Sequence, residues 1–205
     1  MRPVDWVVLD LGETLVDETR AWAAHADRLG VPHLTFMGVL GGVIALRQDH
    51  REVFAHFPAG ADPTPWSVGP EDLYDDALPT LAELRSRGYR LAVMGNQPLH
   101  ALPLLASLPV DKVAASAEWG VHKPDPAFFT RVAQEVGAPP GRIAYVGDRV
   151  DNDVLPARQA GMVAVHLRRG PWGYLHATWP EADQADLRLT TLAELPAALD
   201  TIRGR

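Results

Sequence analysis

The stretch VVLDLGETLV, residues 7–16, decides the fold. Val7 to Leu9 are apolar, a single carboxylate follows at Asp10, and the chain then breaks at Gly12-Glu13-Thr14. A strand that is buried on both faces of a parallel sheet is apolar throughout, so Asp10 marks the end of the strand. The pattern therefore predicts a buried first strand with a charge at its carboxyl end.

Further apolar runs along the chain predict four more strands, and helix-like segments separate them. Strands and helices in strict alternation favour parallel strands with right-handed crossovers, which is a doubly wound α/β sheet. Residues 183–205 predict a short strand or turn and a final helix. The predicted strands are Trp6–Leu9, Arg90–Met94, Val113–Ala115, Ile143–Val146 and Val163–Leu167, and the predicted helices between them are Leu78–Arg87, Leu99–Ser107, Pro126–Val136 and Asp153–Ala160.

The interval between the first two strands is much longer than the dozen or so residues that a crossover needs. It contains helical candidates at Glu18–Leu29 and Thr35–His56, followed by a link rich in Pro and Gly at residues 57–70. We expect a small helical insertion over the carboxyl ends of the strands, where doubly wound sheets bind ligands. The predicted division is an α/β core of residues 1–16 and 77–205 and a helical cap of residues 17–76.

The composition is that of a soluble protein and argues against several classes of function. The chain has 205 residues, of which 47% are hydrophobic and 22% charged, as in a soluble globular protein. A net charge of −7 argues against a nucleic-acid surface, and the absence of cysteine excludes disulfides and a thiol nucleophile. The longest apolar segment, Phe36–Leu46, is shorter than the ~20 residues of a membrane span. With no signal peptide recognisable, we expect a cytoplasmic protein that binds neither nucleic acid nor membrane.

Polar residues follow the predicted strands at the point where each strand ends. Asp10 ends the first strand, Gly95-Asn96 the second and Asp148 the fourth, while Lys123 follows the third. Each residue alone has an ordinary explanation as a helix cap or turn residue. Because the carboxyl ends of parallel strands share one edge, four such features in succession predict one site, to which Asp151 and Asp153 lie close in sequence.

The residue types at this edge indicate phosphate chemistry. Asp10 and Asp148 are oxygen donors of the kind that Mg²⁺ uses, together with waters and a substrate phosphate. Lys123 would offset the carboxylates that otherwise repel a phosphate dianion. A carboxylate held beside a phosphoryl group can also attack it as a nucleophile. The GxxxxGK[ST] phosphate loop does not occur in the sequence, so nucleotide hydrolysis of that type is unsupported.

These motifs resemble those of the haloacid dehalogenase superfamily, in the branch whose cap is inserted between the first two strands. The DxDx[TV] motif corresponds to residues 10–14, and the strand that ends in Ser or Thr corresponds to LAVMGN, with Gly95 at the hydroxyl position. Lys123 lies in the matching KPDP motif, and residues 147–153 match GDxxxxD. The last two motifs match fully, whereas Gly12 and Gly95 depart from the first two.

The resemblance implies a Mg²⁺-dependent phosphatase that acts on a small phosphorylated metabolite through an aspartyl-phosphate, as a monomer or homodimer. In that family the aspartate of the first motif is the nucleophile, and the lysine positions it and offsets phosphoryl charge. The implied roles here are Asp10 and Lys123 as catalytic residues, Asn96, Gly95 and Glu13 as substrate contacts, and Asp10, the Gly12 carbonyl, Asp148 and Asp153 as the metal site.

Gly12 replaces the acid that, in family phosphatases, protonates the leaving oxygen and later activates water. General acid–base assistance contributes about 10²–10⁴-fold, so its loss should slow the reaction without removing the metal site or nucleophile. One hypothesis is therefore a weak or substrate-selective phosphatase. Another acid could serve in it, either Glu13 or a histidine of the cap such as His25 or His56.

Two other hypotheses follow from the same glycine. Dehalogenase or phosphonate-cleaving chemistry is disfavoured, because the Gly147-Asp148 pair is intact and residues 17–76 contain no lysine for a Schiff base. A catalytically silent protein that binds a phosphorylated ligand or a partner is the remaining alternative. Retention of Asp10 and Lys123 argues against it, because a pure binder has no evident use for a nucleophile.

Overall fold

The computed structural model describes residues 4–58 and 67–202, and within them six parallel strands form one sheet in the order β3-β2-β1-β4-β5-β6. The strand β1 is central: Leu9 lies opposite Val93 on one side and Val146 on the other. The predicted doubly wound α/β sheet is confirmed. The strands are β1 Trp6–Leu9, β2 Arg90–Gly95, β3 Lys112–Ala115, β4 Ile143–Gly147, β5 Val163–Leu167 and β6 Leu187–Leu189.

Helices cover both faces of the sheet. The helices of the described residues are α1 Thr19–Leu29, α2 His33–Ala45, α3 Ala77–Ser86, α4 Leu102–Ser107, α5 Ser116–Trp119, α6 Pro126–Val136, α7 Leu155–Gln159, α8 Gly170–His176 and α9 Leu195–Leu199. Two of them, α1 and α2, lie in the insertion between β1 and β2. Side chains alternate along a strand, so Val7 and Leu9 pack with α3, α4 and α9. Trp6 and Val8 pack on the opposite face with α6 and α7.

Two predicted core helices begin differently from the prediction. The segment Leu99–Ser107 starts as a 3₁₀ turn and becomes helical only at Leu102. The predicted helix Asp153–Ala160 begins inside a π-helical turn at Val150–Val154, and α7 starts only at Leu155. This turn matters for function because it follows β4 directly and carries Asp153 into the interior.

The helical insertion between β1 and β2 has its own apolar cluster, which includes Trp22 of α1, Phe36 of α2 and Trp172 of α8. The single helix predicted for Thr35–His56 is wrong. The α2 helix ends at Ala45, Arg47 adopts a left-handed backbone with φ of 60°, and a separate 3₁₀ helix covers His50–His56. The left-handed residue breaks the helical path.

The insertion leaves and re-enters the core at one place. The Tyr74 amide donates to the Leu15 carbonyl at 2.9 Å, and the Asp17 amide donates to the Asp72 carbonyl at 2.8 Å. Most of the predicted link at residues 57–70 lies outside the described residues, as do both ends of the predicted core, so the division into core and cap stays a prediction.

Within the described residues, no single helix is long and apolar enough to cross a membrane. The helices α1 and α2 meet that length and composition criterion only as a pair, and the pair is bent by 112°.

Candidate active site

The ends of β1 and β4 place two carboxylates side by side. These strands are neighbours in the sheet, and the Asp10 amide donates to the Val146 carbonyl at 2.9 Å, which fixes the chain at the exit of β1. Asp148 follows the last residue of β4, and the π-helical turn brings Asp153 back to the same place. Oxygen atoms of Asp10, Asp148 and Asp153 all lie within 4.8 Å of one another, and all three residues are buried.

Lys123 completes this acidic cluster. Its Nζ lies 2.8 Å from Asp10 Oδ2 and 2.5 Å from Asp153 Oδ1, and its side chain is fully buried. Burial alone would lower the pKa of Lys123, but the carboxylates of Asp10 and Asp153 raise it well above the ordinary value. The lysine is therefore a permanent cation at the centre of the cluster.

Burial raises the pKa values of the carboxylates, whereas burial alone would lower the pKa of the lysine. Burial and the neighbouring Asp153 and Asp10 raise the pKa of Asp148 well above its usual range. Burial also raises the pKa of Asp153, to about 6, although Lys123 opposes the shift. Three carboxylates and one ammonium carry a net charge of −2 when ionised, which is the charge that one divalent cation would neutralise.

Two oxygens in the cluster support a cation site. Asp10 Oδ1 and Asp148 Oδ2 are buried and have no hydrogen-bond partner among the described residues. Such unpaired acceptors are costly in a protein interior, and a cation would satisfy them. Carboxylate oxygens are also the donors that Mg²⁺ prefers, so the residues at this position fit the ion that the sequence predicts.

Asn96 is hydrogen-bonded to the lysine loop. Its Nδ2 donates to the Lys123 carbonyl at 2.9 Å, and its Oδ1 accepts the Lys123 amide at 2.7 Å. The bond to the Lys123 carbonyl uses one of the two Nδ2 hydrogens of Asn96, and Asn96 also lines the cavity described below, so its predicted contact with a phosphoryl oxygen stays a prediction. The same geometry supports a second role, in which Asn96 positions Lys123. At Gly95, a Cβ would lie 2.0 Å from Asp10 Oδ1.

Glu13 is turned toward the base of the insertion. Its Oε1 accepts the Glu18 amide at 3.0 Å, and its Oε2 accepts the Tyr74 hydroxyl at 2.6 Å. Burial raises the pKa of Glu13, while the bonds from Tyr74 and Glu18 oppose that shift. Both oxygens are thus engaged in holding the two connections of the insertion together, and Gly170 of α8 lies against the same carboxylate.

Gly12 lies directly beside another carboxylate. Its backbone does not require a glycine, since its φ is not positive, but a Cβ added there would lie 2.2 Å from Glu18 Oε1 and 2.7 Å from Glu18 Cδ. The side chain of Glu18 therefore occupies the space in which a side chain at position 12 would begin.

A cavity of about 610 Å³ opens between the cluster and the insertion. Its polar side includes Asp10, Asp148 and Arg149, whose guanidinium pairs with Asp151 at 2.9 Å. Its other side is mostly aromatic. The lining residues from the insertion and α8 include Trp22, His25, His50, Phe54 and Trp172. Of the two histidines proposed as acids, His25 lines the cavity, whereas His56 is exposed and is not among its lining residues.

Sequence reasoning missed several residues of this site. The sequence places Glu18 only at the start of a predicted helix, and it predicts no helix at Trp172. The Gly-Pro pair at residues 170–171 is the signal that could have found α8, because Pro is favoured in the first turn of a helix. Arg169, the residue before α8, pairs with Asp76 and donates to the Thr14 carbonyl.

Comparisons with known proteins agree with this architecture. A sequence profile described as haloacid dehalogenase-like hydrolase matches residues 4–161. A plasmid-encoded phosphoglycolate phosphatase of Cupriavidus necator is 30% identical over 98% of this chain and 95% of its own length. A glyceraldehyde 3-phosphate phosphatase of Methanopyrus kandleri is 39% identical over 48% of this chain and 45% of its own length.

The Methanopyrus kandleri match therefore spans about half of that relative. Among solved structures, a predicted phosphoglycolate phosphatase from Haemophilus somnus 129PT superposes with a TM-score of 0.69. It is 20% identical and the match covers 96% of this chain and 98% of that one. At that level of identity the similarity shows a common fold.

Proposed function

This chain belongs to the haloacid dehalogenase-like hydrolase family, and from that premise we propose that it is a Mg²⁺-dependent phosphatase of small phosphorylated metabolites. The observation that carries the proposal is the buried cluster of Asp10, Asp148 and Asp153 around Lys123. The named activities of the relatives, which are phosphatases of small phosphate esters, support the same substrate class.

In this proposal Asp10 is the nucleophile. Asp10 lines the cavity and its Oδ2 is held by Lys123 at 2.8 Å, so the attacking group is oriented before a substrate binds. One Asp10 oxygen forms the bond to phosphorus, the ester bond breaks, and an aspartyl-phosphate results. Water then hydrolyses that intermediate and regenerates the carboxylate.

Lys123 and the acidic residues act around this nucleophile. Lys123 keeps its proton, fixes Asp10 and offsets negative charge that the phosphoryl group brings into a buried site. Asp10 and Asp148 would hold Mg²⁺, with Asp153 beside them. The ion would supply positive charge for the phosphoryl oxygens. Asp153 also fixes Lys123 and accepts the Arg149 amide at 3.0 Å, so it connects the ammonium to the turn after β4.

Turnover of p-nitrophenyl phosphate tests the proposal. We expect activity that requires Mg²⁺ and is abolished by EDTA, and we expect Asp10→Asn to lower it at least about 10³-fold because the nucleophile is lost. Asp75→Asn is the matched control, because Asp75 is an exposed aspartate outside the cluster and should leave the rate unchanged.

The alternative is a catalytically silent protein that binds a phosphorylated ligand or a partner. It takes Gly12 and Gly95, where the chain departs from the family motifs, as lost catalytic side chains. Absence of turnover with any divalent metal, together with retained phosphate binding, would support this alternative over the hydrolase. The phosphatase proposal also includes three properties of the whole protein. We propose that it is cytoplasmic, that it is a monomer or homodimer, and that it binds neither nucleic acid nor membrane.

A further inference from the structure

The proposed phosphatase lacks a side chain at the position from which its family delivers a proton, and a different carboxylate lies in that place. We propose that Glu18 is the acid–base residue of this site, an assignment that rests on the proposed function. Glu18 Oε1 lies 2.2 Å from where the Cβ of residue 12 would be. The Glu18 carboxylate thus enters the site from the insertion. In the family phosphatases the corresponding carboxylate belongs to the first motif, at the exit of the first strand.

Local structure holds Glu18 in this orientation. It is the residue before α1, and its backbone amide donates to Glu13 Oε1 at 3.0 Å. Its own Oε2 accepts the Trp22 indole N–H at 3.2 Å, one helical turn further along. These contacts direct the other oxygen, Oε1, toward Gly12. Glu18 lines the same cavity as the proposed nucleophile Asp10.

Other acids near the cavity are less suited to the role. The carboxylate of Glu13 is turned toward the base of the insertion, where it accepts a hydrogen bond from the Tyr74 hydroxyl and lies against Gly170 of α8. The ring of His25 lies within the aromatic cluster, with its centroid 5.1 Å from that of Phe54. Among the residues that the structure describes, Glu18 supplies the carboxylate at the position that Gly12 leaves open.

The chemistry balances with Glu18 protonated at the start. Asp10 forms its bond to phosphorus, the bond between phosphorus and the ester oxygen breaks, and that oxygen takes the proton of Glu18 to leave as an alcohol. The Glu18 carboxylate then takes a proton from water as the water oxygen bonds to phosphorus. The bond from phosphorus to Asp10 breaks, its electron pair returns to the carboxylate, and inorganic phosphate leaves.

Because Glu18 gives a proton in the first step and takes one in the second, Glu18→Gln should affect two esters differently. The glutamine keeps the size of the side chain and an acceptor for Trp22, but it cannot give or take the proton. With an alkyl phosphate, whose leaving oxygen needs protonation, we expect turnover to fall about 10²–10⁴-fold. With 2,4-dinitrophenyl phosphate, whose leaving group needs none, we expect a rapid burst of one equivalent of dinitrophenolate, followed by slow turnover because water activation is lost.

Two further variants separate catalysis from structure. Glu52→Gln is the control, because Glu52 is an exposed glutamate of the insertion outside the cavity, and both substrates should be hydrolysed at the parental rate. Adding Gly12→Asp to Glu18→Ala frees the space that Glu18 occupies and restores a carboxylate from the strand side. We expect this double variant to hydrolyse the alkyl phosphate at least tenfold faster than Glu18→Ala alone.

The outcomes distinguish the two proposals. If the parental protein hydrolyses neither ester, the proposed function fails and the role of Glu18 fails with it. If the parental protein is active and Asp10→Asn is not, the function stands. In that case the Glu18 assignment is overturned by a Glu18→Gln variant that shows no burst and slows both esters equally, or that slows neither.

Discussion

Replacement of Lys123 by methionine tests the charge balance of the cluster. The ammonium is fully buried and contacts Asp10 at 2.8 Å and Asp153 at 2.5 Å. Removal of one partner from a buried ion pair costs about 3–5 kcal/mol, because the remaining charges stay buried without compensation. Since the unfolding free energy of a domain is about 5–15 kcal/mol, Lys123→Met should lose a large fraction of it.

Urea unfolding followed by tryptophan fluorescence measures this loss, once in EDTA and once in Mg²⁺. In EDTA we expect the unfolding free energy of Lys123→Met to be about 3–5 kcal/mol below that of the parental protein. In Mg²⁺ the difference should shrink, because a bound cation would then be the counter-charge for the three carboxylates. The variant should therefore gain more stability from Mg²⁺ than the parental protein gains.

The other lysine of the chain is the matched control. Lys112 is 40% exposed and lies 3.8 Å from a carboxylate oxygen of Glu135, so Lys112→Met should cost less than about 1 kcal/mol. If the two methionine variants unfold within about 0.5 kcal/mol of each other, a figure typical of neutral surface substitutions, the electrostatic account of the cluster is refuted. No gain from Mg²⁺ in either protein would refute the cation site, and an equal gain in both would refute the charge coupling between Lys123 and the ion.

Two further predictions concern residues that support the site. Asn96→Ala removes both hydrogen bonds to the backbone of Lys123; it should lower the unfolding free energy by about 1–2 kcal/mol and lower turnover, as urea titration and p-nitrophenyl phosphate assays would show. Burial lowers the pKa of His176 from 6.5 to about 4. Below pH 6.5 the unfolded chain therefore takes up a proton at this residue that the folded protein does not, and the unfolding free energy falls as the pH falls from 6.5 toward 4. Between pH 7 and pH 5 this loss is about 2 kcal/mol, and His176→Gln should lack it in urea titrations at the two pH values.

The fold was predictable because its signals are local and repeated. Apolar runs that end in polar residues identify parallel strands, and adjacent strand exits share one edge of the sheet. That reasoning also groups Asp10, Asp148 and Lys123, which the structure brings together. The sequence could not show that Asn96 faces the Lys123 backbone, because that contact depends on how the loop after α5 folds back to the end of β2.

The break in α2 and the position of Glu18 were hidden for a similar reason. Arg47 ends the helical path by adopting a left-handed backbone, which is uncommon for a residue other than glycine. Glu13 also has a positive φ, of 49°, and its turn folds the chain so that Glu18 lies beside Gly12. Six residues of sequence separation give no indication of that proximity, because the turn carries no Asn or Gly at its left-handed position.

The two glycines that depart from the family motifs have a common steric feature. A Cβ at Gly12 would lie 2.2 Å from a carboxylate oxygen of Glu18, and a Cβ at Gly95 would lie 2.0 Å from a carboxylate oxygen of Asp10. If the site had decayed, the space left by lost side chains would be expected to be empty or filled by apolar groups. Here each space is entered by an acid that the proposed reaction uses, one as the nucleophile and one as the proton carrier. The glycines therefore favour a rearranged active site over a catalytically silent one.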